Sequence, residues 1–176
     1  YRHINNLKEK FGLNVIVAIN KYNTDTETEL NFVKTELEKI NVSSSIIESW
    51  AKGGNGAIDI AQKLVKLTEQ EEHFKYIYEL NESIKEKIDK ISTEIYGAKN
   101  VIYSEKALKN IKRIEELGYS NLPVCIAKTQ YSFSDDAKKL QCDEPFEINV
   151  RDVEIKAGAG FIVALAGKIM TMPGLP

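Results

Sequence analysis

The segment SWAKGGNG, Ser49–Gly56, holds the only tryptophan of the chain, Trp50, directly before three glycines, Gly53, Gly54 and Gly56. An indole offers a broad π face and one N–H donor. Glycine lets another group approach the backbone, and the N–H groups at the start of a helix attract anions. These residue types suit a flat heteroaromatic ligand with a charged portion. KGGNGA is neither a Walker loop, which ends in Gly-Lys-Ser/Thr, nor a G-x-G-x-x-G turn. Gly53 and Gly54 therefore read either as an anion-side loop or as a tight turn, and Trp50 as a stacking platform or a core residue. Tyr22 follows another apolar run, in AINKYNTDT. With Asn20, Thr24 and Asp25 it could line the same edge and form the other half of a clamp with Trp50; the plainer reading is a surface tyrosine beside ordinary helix caps. A third run, AKTQYSFSDD, supplies Lys128, Thr129, Gln130, Tyr131, Ser132 and Ser134, as a cleft wall or simply a polar loop. His3 and His73 lack the Cys or acidic spacing of a metal site, so no metal ligand is assigned.

These residues need elements to position them. Leu13–Ile19 is short, apolar and β-branched, as in a buried parallel strand. Thr24 and Glu27 have capping-box spacing, and Leu30, Val33, Leu37 and Ile40 follow at helical spacing, predicting a helix over 25–39. A strand over 45–48 leads into the glycines, and Ile60, Ala61, Leu64 and Leu67 mark the next helix. Residues 74–78 read as a short strand. Ile84, Ile88, Ile91 and Ile95 form a helical stripe ended by Gly97; Ser104 caps a helix bearing Leu108, Ile111, Ile114 and Leu117, ended by Gly118. Residues 123–128 are a third strand, with Cys125 in the core. Phe146, Ile148 and Val150, then Val153 and Ile155, alternate as a strand pair or one bent strand, and GFIVALAG is a last buried strand. The order predicts one compact α/β unit with a mostly parallel sheet and helical crossovers, and places the loops after residues 48 and 127 on one edge of it.

With 24 basic and 26 acidic residues, the balance disfavours a dedicated nucleic-acid binder. Two cysteines, Cys125 and Cys142, cannot make a disulfide framework and fit a reducing, cytoplasmic setting. No apolar run is long enough to span a membrane. The first residue is Tyr1 and the only methionines are Met170 and Met172, which reads as an internal piece of a longer chain.

VAINKYNTDTETEL, WAKGGNGA, IKRIEELGY, LPVCIAKTQYSFSDD and VRDVEIKAGAGFIVALAGKIMTMPGLP together resemble formate–tetrahydrofolate ligase, nearly end to end. The resemblance implies an ATP-dependent carbon–nitrogen ligase that joins formate to tetrahydrofolate through formyl phosphate. It implies three α/β domains around one cleft, with residues 1–22 at the edge of the large first domain and 23–176 as the second. Tyr22 and Trp50 would sandwich the pterin, Gly53 and Gly54 would face the phosphate side, and Asn20, Lys128, Gln130 and Ser132 would line the cleft wall. Tyr22 stands where phenylalanine is common, and Asn23 where proline often occurs. Further implied are ATP with Mg, a monovalent cation and a homotetramer. The family's Gly-Lys-Thr phosphate loop is not in this sequence, so these 176 residues alone are expected to be inactive. The competing reading is a non-catalytic α/β ligand-binding or interaction module.

Overall fold

The structure, a computed structural model, describes residues 1–140, 142 and 144–169. The chain divides into two compact units, Tyr1–Lys75 and Tyr76–Pro176. The single unit and single sheet expected from sequence are thus replaced by two units, each with its own sheet.

In the first unit, α1 (Arg2–Asn5) and a wider turn, Asn6–Lys10, precede β1 (Ile16–Asn20). Helix α2 (Glu27–Lys39) carries the chain over to β2 (Ser43–Ile47), which pairs parallel to β1 from Ile16↔Ser43 to Asn20↔Ile47. Helix α2 is capped by Thr26 rather than Thr24: Glu29 N–H donates to the Thr26 hydroxyl, and Thr26 N–H to the Glu29 carboxylate at 2.9 Å. The repeat TDTETE offers the cap spacing twice, and Asp25 is held in the preceding turn, so the second threonine starts the helix. Leu30 and Leu37 are buried, whereas Val33 is exposed. After β2 come α3 (Ser49–Lys52), a tighter 3₁₀ segment, Gly53–Ala57, and α4 (Ile58–Thr68). Asp59 accepts from the Ser45 hydroxyl, and the Lys63 ammonium donates to the Ser44 carbonyl at 2.8 Å, fastening α4 to β2. The strand expected over 74–78 is absent. His73 and Lys75 donate backbone bonds to Gly12 and Phe11, and Phe74 stacks on Phe11 at 6.4 Å, so the segment lies irregularly against the turn before β1.

The second unit holds the larger core. Strands β3 (Asn100–Tyr103), β4 (Val124–Ala127), β5 (Glu147–Lys156) and β6 (Phe161–Ala166) form a sheet in the order β3-β5-β6-β4. The β3–β5 and β4–β6 pairs are parallel, and β5–β6 is antiparallel. The alternation on both sides of Arg151-Asp152 belongs to one long strand whose register shifts between Val150 and Asp152. Helix α5 (Ile84–Lys90) runs into a wider turn, Ile91–Ile95, which Gly97 ends at φ +74°. Helix α6 (Glu105–Glu116) starts at the Ser104 cap and buries Ala107, Ile111 and Ile114; Leu108 and Leu117 are exposed. The apolar stripes of both helices close on Ile148, Val150, Val153, Ile162 and Ala164. The fully buried Lys87 donates its ammonium to the carbonyls of Ser120 (2.6 Å) and Leu122 (3.2 Å), so this cation is not left without hydrogen bonds. Cys125 is exposed, not core: β4 is an edge strand, and its inward residue is Val124. No helix among the described residues is long and apolar enough to cross a membrane.

Candidate functional site

The carboxyl ends of β1 and β2 point the same way, so the residues that follow them meet at one edge of the pair. Asn20 closes β1 opposite Ile47 and is exposed. Lys21 N–H donates to the Ile47 carbonyl at 3.0 Å and prolongs the pairing by one residue. The Trp50 indole N–H donates to the Lys21 carbonyl at 2.8 Å. That bond ties the loop after β2 to the loop after β1, next to Tyr22. The two rings stay available: Trp50 is 55% and Tyr22 57% exposed. Trp50 is therefore not a core residue.

Tyr22 is fixed through its backbone. Its N–H donates to the Asp25 carboxylate at 2.7 Å, and its carbonyl accepts from Asp25 N–H at 3.1 Å. The Lys21 ammonium pairs with Glu27 at 2.7 Å, which raises its pKa. On the other loop, Glu48 ends β2. Its carbonyl accepts from Ala51 and Lys52 N–H, and its carboxylate pairs with the Lys52 ammonium, which lowers the carboxyl pKa. Helical structure thus begins at Ser49, ahead of the glycines, so that Trp50 rides on a helical turn.

The three glycines differ in purpose. Gly56 donates no freedom to a ligand: a Cβ there would lie 2.6 Å from the Glu48 carbonyl, whose own N–H bonds the Gly56 carbonyl. Gly53 sits at φ +54°, ψ −139°, a conformation open to glycine alone. Around Gly53 and Gly54 a Cβ would meet nothing within 4 Å, so their backbone faces open space. The sequence pattern did not separate these roles, because spacing does not tell which glycine is crowded.

In the second unit, residues 129–131 and 134–139 border a cleft of about 1070 Å³ together with Lys99, residues 145–147, Asn149 and residues 167–169. Gln130 lines it. Lys128 and Ser132 instead build the loop that borders it. The Lys128 ammonium donates to the carbonyls of Thr129 and Ser132 and lies 4.6 Å from the centre of the Tyr96 ring; burial lowers its pKa. The Ser132 hydroxyl lies 2.9 Å from that of Ser134. Asp135 anchors the loop, accepting from Asn149 N–H at 2.8 Å and from its side-chain amide at 3.0 Å. Gly167 is obligatory beside it, since a Cβ would lie 2.4 Å from the Asp135 carbonyl. The loops after β2 and β4, expected on one sheet edge, belong to two different sheets. No group of three His, Cys, Asp or Glu side chains suited to a metal occurs among the described residues.

The family model for formate–tetrahydrofolate ligase matches residues 1–176. This chain belongs to the formate–tetrahydrofolate ligase family. It is 51% identical over 174 residues to the formate–tetrahydrofolate ligase of Campylobacter concisus, covering 99% of this chain and 32% of that protein. Against the enzyme of Campylobacter curvus the identity is 50%, with 99% and 32% covered. For Staphylococcus aureus strain JH9 it is 50% over 175 residues, with 99% and 31% covered. The chain therefore spans about a third of the length of the curated relatives it matches.

Proposed function

We propose that this chain is the folate-holding part of an ATP-dependent ligase that joins formate to tetrahydrofolate, giving 10-formyltetrahydrofolate through formyl phosphate. Tyr22 and Trp50 hold the pterin between their π faces. The observation that carries the reading is the Trp50 indole, half exposed and fixed by its N–H to the Lys21 carbonyl beside an equally exposed Tyr22. A tryptophan bonded through its N–H and more than half exposed can offer its ring for stacking. The open backbone at Gly53 and Gly54 leaves room for the charged portion of a ligand. Gln130 and the loop that Lys128 and Ser132 brace form a cleft wall.

In this reading the chain's residues bind, orient and exclude water, so that the acceptor nitrogen of tetrahydrofolate is held in line with an activated formyl group. Formate is activated elsewhere in the protein, since no Gly-Lys-Ser/Thr loop occurs in this sequence. Mg would travel on the nucleotide phosphates. Among the described residues no group of three His, Cys, Asp or Glu side chains is placed to hold a metal ion. The test is turnover by the full-length protein: ATP, formate and tetrahydrofolate together should yield 10-formyltetrahydrofolate, ADP and phosphate, with no product when any one is omitted. Absence of product would leave the non-catalytic binding module as the better description.

A further inference from the structure

We infer that Asp25 is a positioning residue for the folate clamp: its carboxylate fixes the backbone that presents the Tyr22 ring beside Trp50. The inference rests on the clamp reading above. All four backbone polar groups of Lys21 and Tyr22 are engaged. Lys21 N–H goes to Ile47, the Lys21 carbonyl takes the Trp50 indole, and both groups of Tyr22 go to Asp25. Three of these anchors come from strand pairing, from the clamp partner and from a backbone amide. The fourth, from Tyr22 N–H to the carboxylate at 2.7 Å, is the one made by a side chain outside the clamp. A hydrogen bond to a charged acceptor is short and strong.

Tyr22 depends on this bond more than a packed residue would. The residue is 57% exposed, so packing holds its ring only in part and the anchoring of the backbone that carries it counts for more. The next residue is Asn23, and no proline fixes φ in the turn. Asp25 is free for the task. The cap of α2 is Thr26, and the Lys21 ammonium is spent on Glu27.

The experiment uses the full-length protein and the variants Asp25→Ala, Asp25→Asn, Tyr22→Ala and Trp50→Ala. Tetrahydrofolate and ATP binding are measured by calorimetry, with steady-state kinetics and melting alongside. Asp25→Ala should raise the tetrahydrofolate Kd and KM about tenfold, or about 1.4 kcal/mol. ATP binding, kcat and Tm should stay near wild type. Asp25→Asn keeps an oxygen that accepts from Tyr22 N–H, so it should recover most of the loss. In the Tyr22→Ala background, Asp25→Ala should add little, because the two act through one ring. A loss in Asp25→Ala shared equally between the ligands, an Asn variant as weak as the Ala variant, or full additivity with Tyr22→Ala overturns the positioning role and leaves the clamp standing. If Trp50→Ala and Tyr22→Ala both bind tetrahydrofolate normally, the clamp reading fails and this inference with it.

Discussion

Removing the Trp50 indole should separate binding from folding. A stacked ring contributes about 1–3 kcal/mol, so Trp50→Ala in the full-length protein should weaken tetrahydrofolate about 5- to 150-fold. ATP binding should be unchanged. Trp50→Phe restores a π face but not the N–H bond to Lys21, so it should recover only part. Tyr22→Ala should give a smaller loss of the same selectivity. Because the indole is half exposed, melting should fall far less than the roughly 3–5 kcal/mol that deletion of a buried tryptophan costs. Calorimetric titration with each ligand, together with a melting curve, decides it: equal losses for both ligands, or a collapse in Tm, would remove the clamp. At this scale the sequence showed the two aromatic residues and their shared edge. It did not show the bond that joins them, since a side chain reaching a backbone carbonyl across 29 positions leaves no periodic trace.

The elements around the clamp give two further tests. Gly56→Ala places a methyl group 2.6 Å from the backbone of Glu48, the residue that leads into Trp50. Overpacking of this kind costs about 1–3 kcal/mol, so Tm should drop. Gly54→Ala meets open space and should melt like wild type. A selective loss of ligand affinity in Gly54→Ala would place a ligand against that backbone. In the second unit, the buried Asp152 ties α6 to β5, accepting from Lys106 (2.7 Å) and Asn110 (2.7 Å). Burial pushes its pKa up, but the donors Lys106, Asn110 and Val153 N–H outweigh it and hold the carboxyl below its ordinary value. A depressed folded pKa adds stability above the unfolded value and loses it as pH falls through the folded one. Wild type should therefore lose stability below about pH 4, and Asp152→Asn should be weaker at pH 7 with a flatter acid limb. Denaturant titrations at several pH values check this. Helix stripes were readable here because i, i+3, i+4 spacing survives in the sequence, as at Ile84, Ile88 and Ile111. The cap of α2 was misplaced by two residues because TDTETE repeats its own signal. Cys125 was misjudged because an apolar run does not disclose that its strand lies at a sheet edge.

Taken whole, the two units are unequally built. The first buries only Leu30, Leu37 and Val42 among its apolar side chains, around a two-stranded sheet packed with α2 and α4. The second owns the entire apolar cluster. The 176-residue chain should thus melt in two stages. Trp50, the only tryptophan, reports the first unit, so its fluorescence should change at lower temperature than the far-ultraviolet signal dominated by the second. Coincident transitions would refute this. The same chain, incubated with ATP, formate and tetrahydrofolate, should form no 10-formyltetrahydrofolate. The number of sheets was hidden from the sequence because strand patterns give type and order, whereas partners are chosen by tertiary packing.

The position of β6 carries a consequence for synthesis on the ribosome. It is the last described strand in the chain, yet it lies between β5 and β4. Until Phe161–Ala166 has left the exit tunnel, β5 and β4 each present an unpaired edge, and the α5–α6 face has no complete sheet to cover. At about 5–20 residues per second the nascent second unit waits with those edges open. Open edges recruit other strands. A message truncated before the codon for Phe161 should therefore yield a product that coaggregates or is degraded, whereas one reaching past Gly167 closes the sheet.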